Sequence, residues 1–451
     1  MFKKKIKIFC IISALLLAGI FPVFAAGGSD LKGQEIIIGG YSGGYDVNTY
    51  QPRNEIEERE LEWRKKVMKD NGFTMKSIQV AGWGEMLETV ATSIMAGKPA
   101  ADAFWLQADW AMTLYRHGLL YPVSTSANAS LLKTTTGVPG KSVEYNQDVA
   151  ATFTFDGKQY AIGIGIGGSQ HGAGVYFNKR LFREAGLDPN LPYDMQKDGT
   201  WTWSNFIDIC KKLTRDRNND GIIDTYAMTA DLSTEILDQI VFSNGACYVD
   251  KDASGKFVNA SGRPEFIEAL QFARRLLAEG VMMPRPEDSS WDWYWPMFHD
   301  GLVAMLMEPE WRRGQLREMV DDWGFVLFPK GPKARDYRFP YDENVLVIPS
   351  TTPKDRADHI IKALNYWHMP VTDDWKTGTY PAFRDRRAVD ETMAMIRNPR
   401  YSAFRYHILI PGFNRGEISG QMWWYDGEPA QLVESVSQGW NSIIDDFNEN
   451  Y

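Results

Sequence analysis

Two periods of apolar spacing take turns along this chain. Glu35-Ile36-Ile37-Ile38-Gly39 is an apolar, β-branched run that reads as a buried strand. Residues 54–70 are charged with helical spacing and stop at Gly72. Residues 75–80 alternate as in a strand, 84–96 read as a helix stopped by Gly97, 102–105 as a strand, and 108–117 as a helix stopped by Gly118. Such alternation predicts a parallel sheet with helices on its faces. The run YAIGIGIGG at 160–168 breaks the rhythm, and a second set begins with a strand at Val175-Tyr176-Phe177. It continues with a helix over 270–279, strands at 303–306 and 324–329, the loop Lys330-Gly331-Pro332, a strand over 343–349, a helix over 354–367 and a last amphipathic helix over about 429–448. No internal repeat is visible.

The chain has 451 residues, more than the roughly 250–300 that one hydrophobic core organises, so two α/β units are expected. The first 25 residues stand apart. Lys3, Lys4, Lys5 and Lys7 precede an apolar run from Ile8 to Phe24, and Val23-Phe24-Ala25 offers small residues before a cleavage point. This predicts a signal peptide cleaved near Ala25 and a periplasmic or secreted protein. Cys10 lies inside the apolar run rather than after it, so a lipid anchor is not expected. Losing residues 1–25 removes four lysines and no acid, which takes the net charge from −9 to −13. A balance this acidic argues against nucleic acid as a partner. Cys210 and Cys247 then remain, either bridged or as buried thiols.

Four segments, in this order, resemble the extracellular solute-binding proteins of ABC sugar importers, the maltodextrin-binding group. They are MAGKPAADAFWLQADWAMTLYRHGLLYPV at 95–123, FDGKQYAIGIGIGGSQHGAGVYFNKRLFREAGLD at 155–188, Thr200-Trp201-Thr202-Trp203 with the helix after it, and FHDGLVAMLMEPEW at 298–311. Gly163 stands where the family usually carries Gly-Leu-Pro. The resemblance implies an α/β, two-lobed periplasmic-binding-protein fold, each lobe a mainly parallel sheet flanked by helices, joined by hinge crossovers. It places crossovers near 163–168, 328–331 and 379–384, giving one lobe of 33–163 plus 330–382 and another of 164–329 plus 383–451. It further implies a carbohydrate ligand held in the cleft, ABC transporter permease subunits as partners, a monomer and no catalysis.

Ligands of open α/β sheets bind beyond the carboxyl ends of strands, and aromatic rings stack on the apolar faces of sugars while acids meet their hydroxyls. That filter selects Tyr41, Ser42, Tyr45 and Asp46 after the first strand, and Gln107, Asp109 and Trp110 after the strand ending at Trp105. In the maltodextrin binders a ligand-holding Asp occupies the spacing of Asp109, and a basic residue that of Trp110. The resemblance adds Gln170 and His171 past the first crossover, Glu310 and Trp311 after the 303–306 strand, and Trp424. Trp83, Trp293, Asp231 and Glu343-Asn344 are further candidates. Arg312, Arg313, Arg338 and Arg384 could instead meet a uronate carboxylate; the acidic balance favours a neutral oligosaccharide.

RDRNNDGIIDTY at 215–226 carries an EF-hand-like spacing. Asp216, Asn218, Asp220 and Asp224 fall at positions 1, 3, 5 and 9, Gly221 at the bend, and the Ile222 carbonyl at position 7. Position 12 is Ala227, so the bidentate carboxylate is missing. A structural calcium is expected, as in the alginate-binding relatives of the group; an Asx-rich turn without metal is the alternative. Two catalytic motifs are read as accidental. Gly40-Tyr41-Ser42-Gly43-Gly44 fits G-x-S-x-G but no helix is expected after it. Gly163-x-Gly165-x-x-Gly168 fits a dinucleotide fingerprint but precedes a strand. A secreted glycoside hydrolase with a carboxylate pair, and an adhesin or scaffold without a small ligand, are the other readings.

Overall fold

A computed structural model describes residues 31–125, 145–164, 172–230, 234–290, 292–371, 374–424 and 427–449. In chain order the strands that build its sheets are β1 (Glu35–Gly40), β2 (Thr74–Gln79), β3 (Ala103–Gln107), β4 (Ile162–Gly163), β5 (Ala173–Asn178), β6 (Tyr226–Thr229), β7 (Val303–Pro309), β8 (Trp323–Leu327), β9 (Phe339–Tyr341), β10 (Asn344–Val347) and β11 (Ser402–Phe404). One sheet has the order β2-β1-β3-β10-β4 and a second β8-β5-β7-β6, while β9 and β11 form a separate parallel ribbon; two small antiparallel hairpins, 154–155 with 158–159 and 249–251 with 257–259, stand apart from these.

In the first sheet β1 is parallel to β2 and β3, and β10 is antiparallel to both its neighbours. In the second, β5 is antiparallel to both its neighbours and β7 is parallel to β6. Each sheet is therefore parallel except for one strand, and that strand is the one on which the chain enters after leaving the other sheet. The chain leaves the first sheet after Gly163 and enters the second on β5; it leaves the second after Leu327 and returns on β10. After the helix Lys354–Trp367 it crosses once more: the Thr392 hydroxyl donates to the Phe325 carbonyl of β8 at 2.7 Å.

Local chemistry fixes these elements. Asn54 caps the helix Glu55–Asn71 by accepting from the Ile56 and Glu57 N–H groups, acids fill its first turn, and Gly72 ends it in the left-handed region at φ 70°. Pairing of β5 with β8 depends on two glycines: a Cβ on Gly174 would lie 2.2 Å from the Val326 carbonyl oxygen, and one on Gly324 2.2 Å from the Phe177 ring. Ile36, Ile38 and Leu346 pack with Leu61, Ile360 and Trp367 in one apolar cluster, while Phe104, Leu106 and Val345 join a larger one that runs through the second sheet. Cys210 and Cys247 are both free thiols. Among the described residues no helix is long and apolar enough to cross a membrane.

Candidate functional site

The helix Ala108–Arg116 starts directly where β3 ends, and Gln107 makes no side-chain cap to it. Its first-turn N–H groups and positive dipole end therefore face whatever lies beyond the sheet. Asp109 sits in that turn, where one carboxylate oxygen accepts from the Trp110 N–H at 2.9 Å. Burial, with the Asp342 charge adding to it, raises the Asp109 pKa above the ordinary carboxylate range. Asn344, at the start of β10 and opposite Gln107, donates to the Tyr41 hydroxyl at 2.9 Å. The Tyr41 ring meets Trp110 edge-on at 5.5 Å, and Trp110 meets Trp83 at 5.6 Å. So Tyr41, Gln107, Asp109, Trp110 and Trp83 gather at the carboxyl ends of β1 to β3. Their exposures differ: Trp110 is 8% exposed and Trp83 60%. Trp83, a further candidate by sequence, is the ring that offers a face; Trp110 is its buried support.

Other candidates lie elsewhere. Tyr45 packs against Tyr50 and Trp367 at 4.5 and 5.4 Å, on the helix side of the first sheet. The Asp46 carboxylate closes a turn by accepting from the Asn48 N–H at 2.8 Å. Ser42 is exposed, and the chain after it makes a bridge from Tyr45 to Ser77 rather than a helix. That removes the elbow a G-x-S-x-G nucleophile needs.

At the end of β7, Trp311 is half exposed with the Arg312 guanidinium 4.5 Å from its ring. Glu310 is 1% exposed, and its carboxylate pairs with Arg313 at 3.1 Å. Its backbone carbonyl accepts from the Tyr176 hydroxyl at 2.8 Å. Glu310 thus shapes the turn that presents Trp311. Trp293 is buried against Tyr294. Trp424 is 75% exposed at the end of the helix Gly416–Met422, with no ring contact among the described residues. Gln170 and His171, and Asp231, lie outside the described residues; Gly172, next to His171, accepts from the Glu310 N–H at 2.9 Å. The four arginines suggested for a uronate are otherwise placed. Arg312 is buried in a pair with Glu308, Arg313 holds Glu310, and Arg384 donates to the carbonyls of Arg317 and Met319. Arg338 lines a separate cavity.

Sequence reasoning missed a charged cluster beside Asp109. Arg405 reaches Glu235 at 2.9 Å, Asp238 at 3.2 Å and Asp342 at 2.8 Å, and Arg415 bonds both Glu235 and Asp238. Asp342 precedes β10, Glu235 and Asp238 lie on the helix Thr234–Ser243, and Arg405 follows β11. The cluster joins parts of the chain that belong to different sheets. Burial raises Asp238 above the usual Asp range despite both guanidiniums. The only hint in sequence was Arg405 amid a moderately apolar segment, which no motif marks.

In the 216–224 loop the Asp216 carboxylate accepts from the Asn219 and Gly221 N–H groups at 2.7 and 2.8 Å, and Asp220 accepts from Ile222 at 2.8 Å. Asp224 accepts from the Arg217 N–H at 2.6 Å. The donors are hard oxygens, each with a lone pair left, on a turn that Gly221 allows at φ 87°. Among the described residues, however, no three His, Cys, Asp or Glu side chains converge as metal ligands.

A family model described as bacterial extracellular solute-binding protein matches residues 62–366. No curated protein sequence matches the chain. Among solved structures, an ABC substrate-binding protein from Listeria monocytogenes in complex with cycloalternan has a TM-score of 0.61 at 18% identity, covering 91% of this chain and 99% of that one. The maltotriose-binding protein of Thermus thermophilus, bound with maltotriose, gives 0.57 at 18% identity over 91% and 100%. UgpB from Mycobacterium tuberculosis, in complex with glycerophosphocholine, gives 0.61 at 17% identity over 92% and 99%.

Proposed function

This chain belongs to the bacterial extracellular solute-binding protein family, and on that premise we propose that it captures a neutral oligosaccharide for an ABC importer. The observation that carries the ligand class is the exposed Trp83 ring, backed by Trp110 and Tyr41, beside the Asp109 carboxylate and the open N-terminus of the helix Ala108–Arg116. A ring face for C–H groups next to acceptors and donors for hydroxyls is the chemistry a sugar needs. Trp311, half exposed at the end of β7, is the second lobe's ring in this reading. The cycloalternan and maltotriose bound by similar folds support the same class. Lobes of 33–163 plus 330–382 and of 164–329 plus 383–451 close on the ligand, which favours the closed population without chemical change. The protein acts as a monomer, is exported by cleavage near Ala25 without a lipid anchor, and hands its cargo to membrane permease subunits. Calcium in the 216–224 loop is a structural ion in this reading.

The test is calorimetric titration of the mature protein with mono- and oligosaccharides of several linkages, followed by recovery of the sugar. Micromolar binding of one class with the sugar intact supports the proposal. Hydrolysis of the sugar would sink it in favour of a glycoside hydrolase, and absence of binding across all sugars would remove carbohydrate as the cargo.

A further inference from the structure

A cavity of about 300 Å³ lies apart from the aromatic site, and none of Tyr41, Trp83, Asp109, Trp110 or Trp311 lines it. Its wall draws on three parts of the chain. Thr152 ends the helix Gln147–Thr152, which rests on the first sheet through Val149 against Gly163. Phe242 and Cys247 come from the end of the helix Thr234–Ser243 and the turn after it. Tyr341 and Phe404, whose rings meet at 5.4 Å, come from the β9–β11 ribbon.

Among the described residues, two basic side chains and one acid line this cavity. Arg338 lines the cavity, is exposed, and makes no hydrogen bond or ion pair with another described residue. Lys251 lines it too, with its ammonium 4.8 and 5.1 Å from the Phe257 and Tyr406 rings, and burial lowers its pKa. Asp250, the acid among the described lining residues, is held by Arg263 at 2.6 Å. A guanidinium without a carboxylate and a partly desolvated ammonium, in a chain of net charge −9, form a local site for negative charge. The volume matches the lower end of small-ligand pockets, about 300 Å³.

We propose that this cavity is a second binding site, which takes a small, oxygen-rich anion of the size of a sugar phosphate or a tricarboxylate. Arg338 meets the anionic group, and the aromatic residues wall the remainder. Tyr341 and Phe404 adjoin Asp342 and Arg405 of the interlobe cluster, so the wall includes segments on which lobe closure turns. By linkage an anion bound there and a sugar bound in the cleft then alter each other's affinity; this clause alone rests on the function proposed above.

Calorimetry on the mature protein with citrate and with glucose 6-phosphate, and with glucose as the uncharged control, tests the site. At least one anion binds with Kd on the order of 0.1–1 mM, and glucose at this site does not. Arg338→Glu weakens that binding by about tenfold or more, while Arg338→Lys keeps most of it. Failure of both anions to bind, or binding unchanged in Arg338→Glu, overturns the site. A citrate Kd unmoved by saturating cleft sugar overturns the linkage and leaves the site standing.

Discussion

Trp83 and Trp110 touch at 5.6 Å, yet their exposures of 60% and 8% assign them different roles. Trp83→Ala removes a stacking face and little packing, so it weakens sugar binding by about tenfold, roughly 1–1.5 kcal/mol, and leaves the melting temperature nearly unchanged. Trp110→Ala opens a cavity in the core and lowers stability by about 3–5 kcal/mol whether or not it touches ligand. Calorimetry and denaturant unfolding of both variants check the contrast; equal losses of stability would contradict it. Arg405 gives a second case. It is shared by Glu235, Asp238 and Asp342, so Arg405→Ala leaves Glu235 and the buried Asp238 to Arg415 alone and takes a guanidinium from Asp342, which costs about 3 kcal/mol in denaturant unfolding. A loss below 1 kcal/mol would mean the cluster is solvated. Spacing put Tyr41, Asp109 and Trp110 in one place because all three follow the first sheet's strands. It could not rank Trp110 against Trp83, since the side chain that ends up outermost depends on rings from three separate elements. Tyr45 and Asp46 were misplaced for the same reason: the chain turns back to Ser77 right after Gly44.

At the scale of elements, the strands were legible wherever apolar runs were short and bounded by glycine, as at 35–40 and 303–309. The direction of β5 and β10 was not, because it depends on which sheet the chain has just left, a non-local fact. The 216–224 loop shows a finer limit. Its spacing fits both a calcium loop and a set of Asx turns, and the bonds from Asn219, Gly221 and Ile222 satisfy the turn reading without metal. Calcium would gain from drawing together the carboxylates of Asp216, Asp220 and Asp224, because the Arg217 guanidinium pairs with Glu184 outside the loop. The expected outcome is a melting temperature raised by several degrees when calcium is added to chelated protein, by mass action on the folded state, and no rise in Asp216→Ala. Calcium-independent melting of the unmodified protein would leave the loop as plain turns.

The whole molecule carries a pH dependence that arises from buried bases. His368, beside Arg64, is held down to about 4 by burial and that guanidinium. His407 is pushed well below its ordinary value by burial and by Arg415 and Arg405. Folding keeps both neutral while the unfolded chain protonates them near 6.5, so the unfolded state binds more protons and stability falls as the pH drops from about 6.5 toward 4. One pKa unit is about 1.4 kcal/mol, so His368 alone accounts for on the order of 3 kcal/mol at pH 4. Asp238 has the opposite sign. Its raised value means the folded state holds the proton longer than the unfolded one, so its contribution is present below the ordinary Asp value and is lost as the pH rises through its own. Asp109, also raised by burial, shares the sign of Asp238, while Glu57 and Glu235, each lowered to about 2, lose their contribution as the pH falls and so add to the acid limb of the two histidines; His407 lies 3.4 Å from Arg415. Protonation of His407 therefore adds a positive charge beside Arg405 and Arg415. Melting curves between pH 4 and 7 should decline toward acid, with a shallower slope in His368→Gln; a flat profile in the unmodified protein would show that both imidazoles reach water in the folded state.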